Sequence, residues 1–170
     1  MQKELAISPA YGCAAFSGSE TIMKQLLDHG QIDIASLHRE LEFAIEPHQP
    51  SGEPFHSVAL EILAHGFDIN SIRPSQGRTL LHGCANRGTN KATQWLLENG
   101  AHPNVLDNEG GTPLHTAAKR NTYTGVSALL IDAGADVSVR NNAGETAHEV
   151  AIANGRHRIV DFFQEHIAKA

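Results

Sequence analysis

Eleven histidines in 170 residues are the feature most able to do chemistry, because imidazole binds metals and moves protons near neutral pH. The sharpest grouping is His157, Asp161 and Glu165 at i, i+4 and i+8, with His166 beside them. On a helix those three would share one face. No fourth ligand approaches in sequence, and neither an H-E-x-x-H pattern nor paired cysteines occur. The expected role is a solvated helix face, with no metal and no cofactor. Nucleophilic chemistry has as little support: there is no G-x-S-x-G elbow and no glycine-rich loop followed by Lys-Ser/Thr. Pro47-His48-Gln49-Pro50 matches P-x-x-P in letters but lacks basic flanks, and reads as a loop. No catalytic residue is expected, and the chain is expected not to be an enzyme.

The histidines make more sense once the elements that carry them are found. An apolar pair followed by a turn glycine recurs at Leu26-Leu27 to Gly30, Ile62-Leu63 to Gly66, Leu96-Leu97 to Gly100 and Leu130-Ile131 to Gly134. A second signal keeps nearly the same period: Gly77-Arg78-Thr79-Leu80-Leu81-His82, Gly111-Thr112-Pro113-Leu114-His115 and Gly144-Glu145-Thr146-Ala147-His148. Within 107–118, Gly110-Gly111 supplies a tight turn, Thr112 an N-cap hydroxyl, and Pro113 a first helical residue whose missing N–H costs nothing. Leu114, Ala117 and Ala118 then place small and apolar side chains on one face. Two signals from different parts of a unit, in step at 33 to 36 residues, mark an internal repeat.

These residues fit the T-P-L-H-x-A signature, and the chain resembles the ankyrin-repeat family. The resemblance implies an all-α solenoid of stacked helix-turn-helix units with short β-hairpin-like loops. It implies about five repeats in a single domain over 1–170, near 1–32, 33–70, 71–104, 105–138 and 139–170. Inner and outer helices are expected at 11–17 and 20–28, then from near 35 to 45 and from near 55 to 63, with a long proline-rich loop at 46–54. Repeats three and four fit best. Leu80 stands where proline is usual and Asn121 where the inter-helix glycine is usual, and the spans from Thr79 to Gly100 and from Thr112 to Gly134 are stretched. The glycines at 30, 66, 100 and 134 are expected to close the outer helices in left-handed backbone. In such proteins the histidines at 82 and 115 bond backbone between neighbouring repeats. Equivalent positions in stacked helices lie about 8–10 Å apart, too far for two imidazoles to share a zinc at about 2.1 Å.

Composition bounds the partners. The chain carries a formal charge of −6, with three Lys/Arg against ten carboxylates in 1–70 and ten against nine in 71–170. An acidic chain is a poor nucleic-acid ligand, no run is long enough to span a bilayer, and Met1 to Ala10 lacks a signal-like apolar core. Cys13 and Cys84 are expected to be free, mostly buried thiols, pointing to a reducing, cytoplasmic setting. By the resemblance, a protein partner would meet the hairpin tips and exposed inner-helix faces. Those are Arg73, Ser75, Gln76, Arg78, Asn86 and Arg87 in repeat three; Asn108, Glu109, Thr116, Lys119 and Arg120 in repeat four; and Arg140, Asn142, Glu145 and Asn154 in repeat five. Six of the fifteen are basic and two acidic, so a basic concave surface for an acidic segment of a protein partner is expected. The functional expectation is a monomeric module that binds and inhibits or neutralises that partner. The alternatives are a host-directed bacterial effector or adaptor, or a metal-binding or enzymatic accessory protein.

Overall fold

The structure, a computed structural model, describes residues 19–29, 37–45, 56–73, 75–121 and 123–167. The expectations for the inner helix at 11–17, the loop at 46–54, Cys13 and Gly30 lie outside those residues. Among the described residues the fold is all-α, with nine helices and two isolated antiparallel bridges, Arg73 with Arg78 and Arg140 with Thr146. The chain divides into two compact units, Met1–Ser71 and Ile72–Ala170.

In unit 1, α1 (Glu20–Asp28) and α2 (His38–Ile45) both pack on α3 (His56–Ala64). Leu41, Ala44 and Ile45 of α2 fall at i, i+3 and i+4 and are fully buried, as are Met23 of α1 and Val58, Ala59 and Ile62 of α3. His38 donates Nε2–H to Ser71 O at 3.1 Å and sets its ring edge-on to Phe67, 5.0 Å between centroids. His65, just beyond α3, faces two acceptors. Its Nδ1 lies 2.9 Å from Glu61 O and its Nε2 lies 2.9 Å from Asp28 Oδ1. A carbonyl and a carboxylate can only accept, so this setting favours the doubly protonated imidazolium over either neutral tautomer. The hydrogen bond to Asp28, then that to Glu61 O, raises its pKa above the ordinary histidine value.

Unit 2 has an inner row of α4 (Leu80–Arg87), α6 (Pro113–Arg120) and α8 (Ala147–Ala153). Outside it, α5 (Asn90–Glu98) packs on α7 (Gly125–Asp132), and α9 (His157–Ile167) covers α8. α6 lies against both α4 and α8, which is why its apolar residues are small: Ala117 and Ala118 are fully buried beside Leu114. The outer helices supply the larger side chains, Leu96, Leu130, Ile159 and Phe163. α5 and α7 stop at Gly100 and Gly134, with φ of +90° and +87°. The following N–H groups, of Ala101 and Ala135, bond back to Leu96 O and Leu130 O at 2.9 Å.

The departures from a regular repeat fall in the inter-helix turns. Gly88 closes α4 in left-handed backbone, and α5 begins two residues later. Asn121 closes α6 in extended backbone instead, φ −81° and ψ 152°, and α7 starts only at Gly125. Replacing the glycine thus lengthens the turn by two residues and carries Tyr123 out to 72% exposure.

Candidate protein-binding surface

Each inner helix of unit 2 begins at a threonine whose hydroxyl and backbone face the residue three positions on. Thr79 N–H donates to His82 Nδ1 at 3.2 Å, and Thr112 N–H to His115 Nδ1 at 3.2 Å. Because Nδ1 accepts, Nε2 must carry the hydrogen. It donates across to the next hairpin, His82 to Gly111 O at 3.1 Å and His115 to Glu145 O at 3.0 Å. Burial is the largest influence on both rings and lowers both pKa values, so they are neutral in the folded protein. At α8 the third position holds Glu149, which accepts from Thr146 N–H at 2.7 Å.

The hairpins are organised by Asp107 and Asn141. Asp107 Oδ1 accepts from Glu109 and Gly111 N–H, and Asn141 Oδ1 from Ala143 and Glu145 N–H. Successive hairpins join edge to edge: Asn108 N–H donates to Gln76 O at 3.1 Å and Asn142 N–H to Glu109 O at 2.9 Å. Close approach requires glycine at the tip: Gly110 has φ +71°, and a Cβ there would run into the Asn142 side chain and backbone.

The fifteen sequence-derived positions divide three ways. A concave hollow of about 140 Å³ gathers eight: Arg78, Asn86, Glu109, Thr116, Lys119, Arg120, Glu145 and Asn154. Arg73, Ser75, Gln76, Asn108, Arg140 and Asn142 lie on or beside the hairpins. Arg87 lies apart, on a cleft between inter-helix turns.

Three details revise the expected surface. Thr116 is only 7% exposed, not presented to solvent, because α6 is covered on both flanks. Arg78 is committed: its Nε donates to Asp107 Oδ2 at 3.1 Å, and the Asp107 side chain is 4% exposed. Burial alone would raise the Asp107 pKa, but bonds from Gly111 N–H, Arg78 and Glu109 N–H outweigh it and keep the carboxylate ionised. Arg140 is shared with Glu149 at 2.9 Å. The hollow is therefore mixed in sign, with Glu109 and Glu145 on its hairpin side. Lys119 and Arg120 make no ion pair among the described residues.

Sequence reasoning missed Ile72 and Leu106, each 52% exposed immediately before a hairpin. Their signal was available: both are large apolar residues outside either helical stripe. Cys84 is buried and forms no disulfide among the described residues. Among the described residues no three His, Cys, Asp or Glu side chains gather as metal ligands, and no helix is long and apolar enough to cross a membrane.

The family profile for ankyrin repeats in three copies matches residues 53–141 and again 81–170. The chain belongs to the ankyrin-repeat family. Similar proteins include a fem-1 homologue of Drosophila melanogaster, 39% identical over 39% of this chain and 10% of the relative. A putative ankyrin repeat protein of Fowlpox virus is 28% identical over 67% of this chain and 35% of its own. Another, of Rickettsia felis, is 33% identical over 57% of this chain and 46% of its own. The chain thus spans less than half the length of these relatives. Ankyrin repeats are protein–protein interaction modules, and the family is generally a non-enzymatic scaffold.

Proposed function

We propose that unit 2 captures a protein partner through the hairpin edge and the concave hollow, and that occupancy blocks that partner. The observation that carries this reading is the convergence of eight sequence-derived positions on one hollow walled by rigid inner helices. A preformed surface loses little conformational entropy on binding. Leu106 and Ile72 add exposed apolar contact area for the partner. Lys119 and Arg120, the unpaired cations of the hollow, receive an acidic segment of the partner. The module acts as a monomer.

The test is an affinity capture from native extract, followed by measured affinity for the captured protein. Lys119→Glu with Arg120→Glu should weaken it and flatten its salt dependence, and Leu106→Ser should weaken it without touching that dependence. Unchanged affinity in both variants would reject the surface. A captured enzyme whose activity is unaffected at saturation would reject the blocking role, and concentration-dependent sedimentation would reject the monomer.

A further inference from the structure

The inter-helix turns of unit 2 carry a charge arrangement that the hollow lacks. Residues 86–91, 119–125 and 154–158 hold Arg87, Lys91, Lys119, Arg120, Arg156 and Arg158, and no carboxylate. The rest of 72–170 has four Lys/Arg against nine Asp/Glu.

Packing brings these turns together. Arg156 donates Nε and Nη2 to Lys119 O, both at 3.2 Å. The Arg158 guanidinium lies 5.5 Å from the centroid of Tyr123. The first two turns wall a cleft of about 350 Å³ with Asn86, Arg87, Asn90, Arg120, Asn121 and Tyr123. Asn121, in that lining, is more than nine-tenths buried, and its Nδ2 meets no acceptor among the described residues. Helix stability accounts for only half of the cations. Arg87, Lys119 and Arg120 end helices, where the dipole favours positive charge. Lys91, Arg156 and Arg158 stand at helix starts, where the dipole opposes them. Two guanidinium groups, Arg87 and Arg120, and the buried Asn121 Nδ2 thus line one cleft, a donor set suited to an anion.

We propose that this cleft seats a phosphomonoester dianion carried by a partner protein, a phosphorylated serine or threonine side chain. Guanidinium forks match phosphate oxygens in pairs, and Tyr123 offers a face to a flanking peptide residue. The acidic remainder of the unit favours a compact anion over a long one. Screening confines attraction to about 8 Å at physiological salt, so a nucleic-acid strand running past the turns would meet net negative surface. The cleft shares Asn86 and Arg120 with the hollow, so the variants that test it are taken at Arg87, Lys91 and Arg158, outside the hollow.

Fluorescence anisotropy on the full chain tests it. The probe is a short labelled peptide with one central phosphoserine among glycines and alanines. It is compared with its serine and glutamate twins, with inorganic phosphate as competitor, and with an oligouridine. The phosphopeptide should bind about tenfold or more tighter than either twin. Arg87→Gln with Arg158→Gln should remove that advantage while Lys24→Gln, in unit 1, keeps it. Should the double variant fail to fold, exposed Lys91→Gln should still weaken the phosphopeptide about threefold. Equal affinity for the twins overturns the proposal. So does tighter oligouridine binding, or inorganic phosphate binding as tightly as the phosphopeptide, which would make the ligand a small free phosphate.

Discussion

In unit 1, His65 lies at a helix end with both ring nitrogens on acceptors, and its pKa is raised, which favours the charged form. In unit 2, His82 and His115 lie inside the stack, each accepting at one nitrogen and donating at the other, and they are neutral. One side chain type serves as half of an ion pair in the first unit and as a directional backbone clip in the second. The decider is what faces Nδ1. A carbonyl at His65 forces a proton onto that nitrogen, whereas a threonine N–H at His82 forbids one. Burial then reinforces the choice, since a buried imidazolium without a carboxylate would be costly.

The comparison breaks most readily at the buried clip. His82→Ala removes a fully buried ring and leaves Thr79 N–H and Gly111 O unpaired. It should cost about 3 kcal/mol in denaturant titrations of unit 2. His65→Gln should cost far less, and high salt should erase the difference from the parent. The hairpins give the next contrast. Gly110→Ala combines left-handed backbone with a collision on Asn142 and should cost about 2 kcal/mol. A Cβ on Gly66, at φ +93°, meets nothing within 4 Å, so alanine there should cost only about 1 kcal/mol by melting temperature. Equal shifts would show that backbone strain alone governs both glycines.

Arg78→Gln should destabilise by about 1.5 kcal/mol, because Asp107 stays buried without its partner. Arg87→Gln on the exposed turn should be nearly neutral in the same urea titration. The smallest effect is on pH, and its sign differs between units. The folded pKa values of His82 and His115 lie below the ordinary 6.5. Protons therefore bind the unfolded chain first, and unit 2 loses stability as pH falls below about 6.5. The folded pKa of His65 lies above 6.5, so its contribution is complete below that value and fades as pH rises through the raised pKa. Hydrogen exchange read region by region between pH 5.5 and 8 should show protection moving in opposite directions around α3 and α6. A common direction would mean that one of the two protonation assignments is wrong.

Much of the fold was legible because the repeat is written in local signals. Thr112-Pro113 caps and starts α6, and Gly100 and Gly134 close α5 and α7 in left-handed backbone. The outer helix read at 20–28 is α1 residue for residue. The surface was harder to read. Thr116 looks like an exposed polar position until α4 and α8 close on both sides of α6. Arg78 looks like a free cation until the hairpin places Asp107 within 3.1 Å of it. In both cases the deciding neighbours are distant in sequence, and a local pattern does not contain them.

By itself, then, the sequence determined the units: where helices start and stop, which faces are apolar, and which histidines sit beside a capping threonine. Those outcomes follow from backbone sterics, missing N–H groups and residue spacing, all settled within a few residues. Only the tertiary structure decided the electrical result. It raised the pKa of His65 and lowered that of His82, tied Arg78 to Asp107, and gathered cations from separate inter-helix turns. Charge acts through space and through burial, and both are set by which elements pack together.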